Sequence, residues 1–384
     1  MQPPVTELAE DERIFRDTAR DFAEQRVRPR VVEMERARQQ PPELLRELFE
    51  LGLMGIEIPE EYGGAGASFF MSVLAIEELA RVDPAFAIPV DVQNTLVANQ
   101  FLRWGSEDQK QRFLTRLATD TIGSYALSEA RSGSDAFALE TRAERKGEGW
   151  SLTGSKLWIS NAAEAGLFVV FANADPSAGH RGITAFVVER DMPGFTVGKK
   201  EDKLGVRASS TCELRFENVK VPDANVLGEV GQGYKLAIET LNEGRIGIGA
   251  QMLGLAEGAL AGAVAYAGER EAFGQKIGEF QAVQHLLAEC ATDIASVRLH
   301  CYNAARMRDA GLSVQRAGAM TKLVASRVAE SVASRCIDVY GGLGVTEECP
   351  AEKYLRDAKV AQIYEGTTFM QLNTIARDVL KEGE

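Results

Sequence analysis

Hydroxyls, glycine-freed backbone amides and a single indole gather in two short runs of this chain. They are Tyr125-Ala-Leu-Ser-Glu-Ala-Arg-Ser-Gly-Ser-Asp135 and Gly154-Ser-Lys-Leu-Trp-Ile-Ser-Asn161. That set suits a planar, polar, phosphate-bearing ligand, with hydroxyls and amides for its edges and a ring for its face. Each piece alone has a plainer reading, since Ser/Gly clusters usually make turns and a Trp usually packs in a core. Further on, Ile363-Tyr-Glu-Gly-Thr-Thr368 sets a glutamate between an aromatic ring and a glycine. Burial beside a ring disfavours the charged carboxylate and raises its pKa, as a general base near neutrality requires. The glycine lets a ligand approach the backbone. The competing reading makes Glu365 a cap for a helix starting at Thr367, and on these residues alone that reading leads.

Elimination removes other chemistries. Three histidines, His180, His285 and His300, form no metal-ligand pair. Five cysteines (Cys212, Cys290, Cys301, Cys336, Cys349) lie apart without a Cys-x-x-Cys pair, which argues against a zinc site or disulfide framework and for a reducing compartment. No metal is expected. No Gly-x-Ser-x-Gly elbow occurs. Gly63-Gly-Ala-Gly66 lacks the Lys and Ser/Thr of a phosphate loop and reads as a turn. Gly341-Gly-Leu-Gly344 follows a helical stretch and lacks the third glycine of a dinucleotide fingerprint. The net charge of −13 disfavours nucleic acid. No hydrophobic signal opens the chain, and no apolar run reaches about 18 uninterrupted residues, so neither secretion nor a membrane span is expected.

The elements that must position these residues follow from periodicity. Residues 1–121 read as an N-terminal helical domain, with helices at Pro42 to Leu51, Phe69 to Arg81, Val90 to Arg103 and Glu107 to Ala118. Residues 122–233 read as a middle β domain, an antiparallel sheet or a barrel. Its short apolar runs begin at Trp150, Leu167, Ile183, Phe195 and Cys212. Residues 234–384 return to helices at Leu236 to Tyr266, Gln281 to Asp309, Ser313 to Tyr340 and Thr368 to Leu380. Small residues (Gly247, Gly249, Ala250, Gly254, Gly258) along the first of these predict close helix packing. The class is α+β in three domains.

Taken together, the two runs resemble the flavin cradle of the acyl-CoA dehydrogenases, Ser-Glu-Ala-Gly-Ala-Gly-Ser-Asp followed by Trp-Ile-Ser/Thr. Arg356-Asp-Ala-Lys359 before Ile363-Tyr-Glu-Gly-Thr resembles the family signature whose glutamate is the catalytic base. The likeness runs from about Glu43 to Thr374 and is closest between Leu152 and Leu260. Lys203-Leu-Gly-Val-Arg-Ala-Ser-Ser-Thr-Cys and Leu241-Asn-Glu-Gly-Arg-Ile-Gly-Ile look most like the short/branched-chain (2-methylbutyryl-CoA) members. The resemblance implies the family's fold, with a four-helix bundle as the C-terminal domain. It implies FAD held by Tyr125, Leu127, Ser128, Gly133 and Ser134, with Trp158, Ile159 and Ser160 at its ring. Arg270 and Phe273 match a motif that reaches the flavin of a neighbouring subunit, and Gln281, Gly341, Gly342 and Thr367 match further cofactor contacts. Acyl-CoA would meet Ser134, Tyr234, Asn242, Arg245 and Gly366. The implied reaction is α,β-dehydrogenation by Glu365, with the enolate held by the Glu365 N–H and a flavin ribityl hydroxyl. Electrons would pass to an electron-transferring flavoprotein, from a homotetramer built as a dimer of dimers. The implied setting is the bacterial cytoplasm, or the mitochondrial matrix for a processed chain.

In isovaleryl-type relatives the base precedes the arginine matching Arg245. Gly244 stands there in this chain, and Glu243 lies one step away, about 100° round a helix. Arg131 and Ser132 replace Gly-Ala, His180 replaces a Tyr, and Val345 replaces a Tyr. An acyl-CoA oxidase of the same fold is the nearest competing enzyme, and a cofactor-free helical assembly protein is the competing class.

Overall fold

The structure is a computed structural model and describes residues 4–381. Its N-terminal part holds helices α1 (Glu10–Phe22), α2 (Val31–Ala37), α3 (Pro42–Glu50), α4 (Phe69–Val82) and α5 (Pro84–Asp91). A wide turn over Val92–Ala98 leads into α6 (Asn99–Trp104), and α7 (Glu107–Gln109) and α8 (Thr115–Thr119) flank a second wide turn. The expected single helix from Val90 to Arg103 is therefore divided. Buried side-chain amides explain its position: Asn94 bonds the carbonyls of Leu53 and Val90, and Gln93 bonds those of Leu117 and Thr121. Pro84 opens α5 where an absent N–H costs nothing.

Eight strands follow: β1 (Gly123–Ala126), β2 (Arg142–Arg145), β3 (Gly149–Ser160), β4 (Leu167–Asn173), β5 (Ile183–Glu189), β6 (Phe195–Lys200), β7 (Thr211–Pro222) and β8 (Val226–Leu227). They form one sheet in the order β6-β7-β3-β2-β4-β5-β8, with β1 paired to β4. The order does not close on itself, and β1 and β2 both run parallel to β4, so the sheet is mixed rather than antiparallel. β4 is buried at every residue, which is why it reads as a continuous apolar run, whereas β7 alternates for much of its length. β1, β2 and β8 carry no such run.

The C-terminal part is built on α9 (Gly233–Glu269), with α10 (Gln281–Asp309), α11 (Gln315–Tyr340), α12 (Pro350–Val360) and α13 (Thr368–Lys381). α9, α10, α11 and α13 form the bundle, in which α11 touches the other three. α9 is long and apolar enough to cross a membrane, but 67% of its most apolar window lies buried inside the protein. Its glycines have a steric reason. A Cβ at Gly254 would lie 2.0 Å from the Glu77 carbonyl, and one at Gly258 would lie 2.1 Å from that of Arg81. α9 and α4 are therefore in backbone contact. α12, which no sequence reading isolated, starts with Pro350 at its first position.

Candidate active site

A cavity of about 450 Å³ opens where β1, β3, α9 and the α12–α13 loop meet. Tyr125, Leu127, Ser128, Gly133, Ser134, Trp158, Ile159, Ser160, Arg245, Glu365, Gly366 and Thr367 all line it. Local chemistry explains how each side arrives. The pairing of β3 with β7 slips between Lys156 and Ile159, and Trp158 inside that irregularity has φ 61. A bulge of this kind re-aims a side chain, and the indole is left 53% exposed at the cavity. The 127–135 loop is tied from beneath. Buried Lys156 donates to the Leu127 carbonyl at 2.8 Å and to Glu129 Oε1 at 2.6 Å. Glu129 also accepts the backbone N–H of Glu140 at 2.6 Å and of Thr141 at 3.2 Å. Reciprocal Glu129–Ser132 backbone bonds make the loop a tight turn. Arg131 sits at its tip, outside the positive-φ residues, with an exposed side chain 3.4 Å from Glu140. The exchange of Gly for Arg is accommodated there.

On the helical side, Glu365 and Gly366 have φ 53 and 87. A left-handed glutamate is uncommon and unfavourable, and residues held this way tend to sit at functional sites. Glu365 Oε2 is buried and has no hydrogen-bond partner among the described residues. Burial raises its carboxyl pKa to about 7, against the lowering pull of Arg245 and Lys322. The capping role passes instead to Thr367, whose hydroxyl accepts the Met370 N–H at 3.4 Å. Asp91 is likewise raised to about 8 by burial and then by Glu365, and its carboxylate accepts the Thr95 hydroxyl at 2.9 Å. Burial lowers Arg245, whose Nε is unpartnered among the described residues while one terminal nitrogen donates to Asn242 Oδ1 at 2.9 Å.

Gly244 leaves room for the Glu365 carboxyl. A Cβ there would meet Leu96 Cδ2 at 2.7 Å and Glu365 Oε2 at 3.3 Å, so side chains at 244 and 365 would compete for one space. Glu243 points elsewhere, accepting from Arg103 at 2.5 Å and Arg308 at 2.9 Å. Tyr234 and Asn242 lie one contact behind the wall. Tyr234 packs on cavity-lining Phe137 at 4.2 Å between ring centres and on His180 at 4.7 Å.

The remaining candidates fall outside. Arg270, Gly341 and Gly342 line a separate open cleft with Tyr266 and Tyr340. Phe273 is 97% exposed and Gln281 is also exposed. A larger cleft of about 690 Å³ between α2 and α12 is lined by charges, among them Arg207 and Arg356, both facing Glu35, with Arg356 also bonded to Glu352. Among the described residues no cluster of His, Cys, Asp or Glu could hold a metal. Sequence reasoning missed the apolar floor (Val92, Leu96, Ile238, Leu241, Met370) and the buried Lys322 and Gln371 beneath the Glu365 loop. Helical spacing marks the apolar residues only as core and gives no signal for Lys322 or Gln371.

The donor set fits a flavin. Serine hydroxyls and an open indole face the cavity, and the buried hydroxyls of Tyr125 and Thr368 lack partners among the described residues. Comparison with known proteins agrees with that geometry. Three domain models match: acyl-CoA dehydrogenase N-terminal domain over 9–121, middle domain over 124–219 and C-terminal domain over 231–380. A probable short/branched chain specific acyl-CoA dehydrogenase of Dictyostelium discoideum is 54% identical, over 98% of this chain and 92% of its own. The mitochondrial short/branched chain specific enzyme of Bos taurus is 49% identical, over 99% and 88%. Among solved structures, butyryl-CoA dehydrogenase from Megasphaera elsdenii superposes with TM-score 0.96 at 40% identity, covering 99% of this chain and 100% of that one. A glutaryl-CoA dehydrogenase from Mycobacterium smegmatis in complex with FADH2 gives 0.91 at 34%, covering 97% and 95%.

Proposed function

Because the chain belongs to the acyl-CoA dehydrogenase family, we propose that it oxidises short or short-branched acyl-CoA thioesters to 2-enoyl-CoA, with Glu365 as the base. The observation that carries this is the Glu365 carboxyl: buried, unpartnered at Oε2 and at the wall of a cavity that suits a flavin. Ser128, Ser134, Ser160 and Thr367, with Tyr125, Leu127, Gly133, Ile159 and the Trp158 indole, would hold FAD. When bound, FAD supplies the acceptor for the hydride that leaves the substrate β-carbon.

Glu365 takes the α-proton. An α-C–H is a poor acid, so charge developing on the thioester oxygen needs a donor. The Glu365 N–H makes no backbone bond within the protein among the described residues, which leaves it available to that oxygen. Arg245 balances the Glu365 charge in the resting site and is itself aligned by Asn242. Leu96, Leu241 and Met370 exclude water from the reacting carbons. The preference for short chains rests on the likeness of Lys203–Cys212 and Leu241–Ile248 to short/branched-chain members. The relatives' names point the same way.

Arg270, Phe273, Gln281, Gly341 and Gly342 lie away from the cavity in their own chain. A second copy would bring them to the FAD, in a dimer of dimers. Electrons would then leave to an electron-transferring flavoprotein. The test is anaerobic bleaching of the flavin by a matched panel of thioesters. 2-Methylbutyryl-, isobutyryl-, butyryl- and hexanoyl-CoA should bleach it and palmitoyl-CoA should do so poorly; a maximum at octanoyl-CoA or longer rejects the substrate assignment. Slow re-oxidation in air separates this reading from an oxidase.

A further inference from the structure

Lys322 stands on α11, fully buried and outside the wall of the cavity. Its ammonium hydrogen bonds to a backbone carbonyl, that of Gly366, at 2.5 Å. The Gln371 amide, also fully buried, donates to the same carbonyl at 2.8 Å and to the Glu365 carbonyl at 3.2 Å. These are the carbonyls of the two consecutive left-handed residues, Glu365 at φ 53 and Gly366 at φ 87. A residue with a Cβ does not stay in that conformation unless its surroundings over-determine it. Because peptide groups are planar, drawing both carbonyls toward α11 and α13 turns the N–H groups of Gly366 and Thr367 away from them. The same constraint sets the direction of the Glu365 side chain.

We propose that Lys322 is a positioning residue for the base: through the Gly366 carbonyl it locks the Glu365–Gly366 turn, and it places a buried cation behind the Glu365 carboxyl. The inference rests on the reading of Glu365 as the base. Besides the adjoining Tyr364, four groups from different elements feel that carboxyl electrostatically: Arg245 of α9, Lys322 of α11, Asp91 of α5 and Tyr125 of β1. Arg245 and Lys322 favour its charged form, and that charge in turn raises Asp91. Burial draws the Lys322 ammonium down to about 7 while Glu365 pulls it back up. The cation and the carboxylate therefore sustain each other.

Two variants of the holoenzyme test this, Lys322→Met and Lys322→Gln. The Glu365 carboxyl is titrated by infrared difference spectroscopy against the matching Glu365→Gln background, and kcat and KM for butyryl-CoA are measured alongside. With Lys322→Met the carboxyl midpoint should rise by about one pH unit, the scale of losing an opposite charge nearby. At pH 7 kcat should fall about fivefold, as the ionised fraction drops, with KM little changed. Lys322→Gln keeps a donor for the Gly366 carbonyl and should retain the fold even if Lys322→Met does not, yet its midpoint should rise too. An unmoved midpoint in the folded variants overturns the proposal. If Glu365→Gln leaves turnover intact, the base assignment fails, while the infrared midpoint still judges Lys322.

Discussion

The middle domain and the C-terminal domain each bury a glutamate near a lysine, and they use the pair to opposite ends. Glu129 accepts from the Lys156 ammonium and from two backbone amides. Burial alone would raise its carboxyl, yet those partners hold it below the usual range. Glu365 has an oxygen with no partner among the described residues, and Lys322 bonds to a carbonyl instead. Its carboxyl stands at about 7. Satisfying a buried carboxylate makes it a brace, and leaving one short of hydrogen bonds suits it to accept a proton near neutrality. The first holds the Leu127–Asp135 loop in shape, and the second stands at the wall of the cavity that the loop borders.

The widest separation between the two should appear in turnover. Glu365→Gln keeps shape and hydrogen bonding but removes the proton acceptor, so turnover should fall at least about 10²-fold with FAD still bound. Steady-state kinetics on the yellow protein checks this, and near-normal rates would return the role to another carboxylate.

The same substitution should have opposite signs in stability. Glu129→Gln strands buried Lys156 and should cost roughly 3 kcal/mol, the low end for breaking a buried pair. Glu365→Gln removes a carboxylate that ionises with difficulty. At pH 8 it should leave the fold at least as stable as the parent, with a gain of up to roughly 3 kcal/mol from the raised pKa. The sign follows from linkage. A raised folded pKa means stability present at low pH and lost as pH climbs from about 4.3 toward 7. For Glu129, the stabilisation is present above about 4.3 and lost as pH falls through its depressed folded value. Urea unfolding at pH 4 and pH 8 separates the two. A Glu365→Gln protein less stable than its parent at pH 8 would contradict the contrast.

A smaller effect is the acid limb of kcat/KM. It should climb about tenfold per pH unit and level near pH 7, since the base must be ionised. The midpoint belongs to the Asp91, Arg245, Lys322 and Glu365 cluster as a whole. A limb at the ordinary carboxylate value would mean that the cavity does not desolvate Glu365. The least change is expected at the tip of the braced loop. Arg131→Gly removes an exposed side chain, so the FAD dissociation constant should not tighten; clear tightening would mark Arg131 as strained.

Much of this was legible from residue order. Periods of three to four residues located α10 from Gln281 to Asp309 with no error, because a long amphipathic helix repeats its signal many times. β1 and β2 were invisible, being four-residue strands defined by parallel neighbours far along the chain. The cavity-lining residues from Tyr125 to Ser160 and from Glu365 to Thr367 could be named from residue types, spacing and family likeness, since the chemistry of a ligand site is local.

What sequence alone determined, then, was the three-part order of helices, sheet and helices, the family, and the identity of the carboxylate worth testing. Tertiary structure decided whether Glu365 caps a helix or faces a cavity, because that depends on φ 53 and on room left by Gly244, 121 positions away in the chain. It decided that Glu243 is held by arginines from α6 and α10. It also decided that Lys322 lies under the Glu365 loop. Desolvation and charge proximity set a pKa, and both are properties of what packs around a residue rather than of its neighbours in the chain.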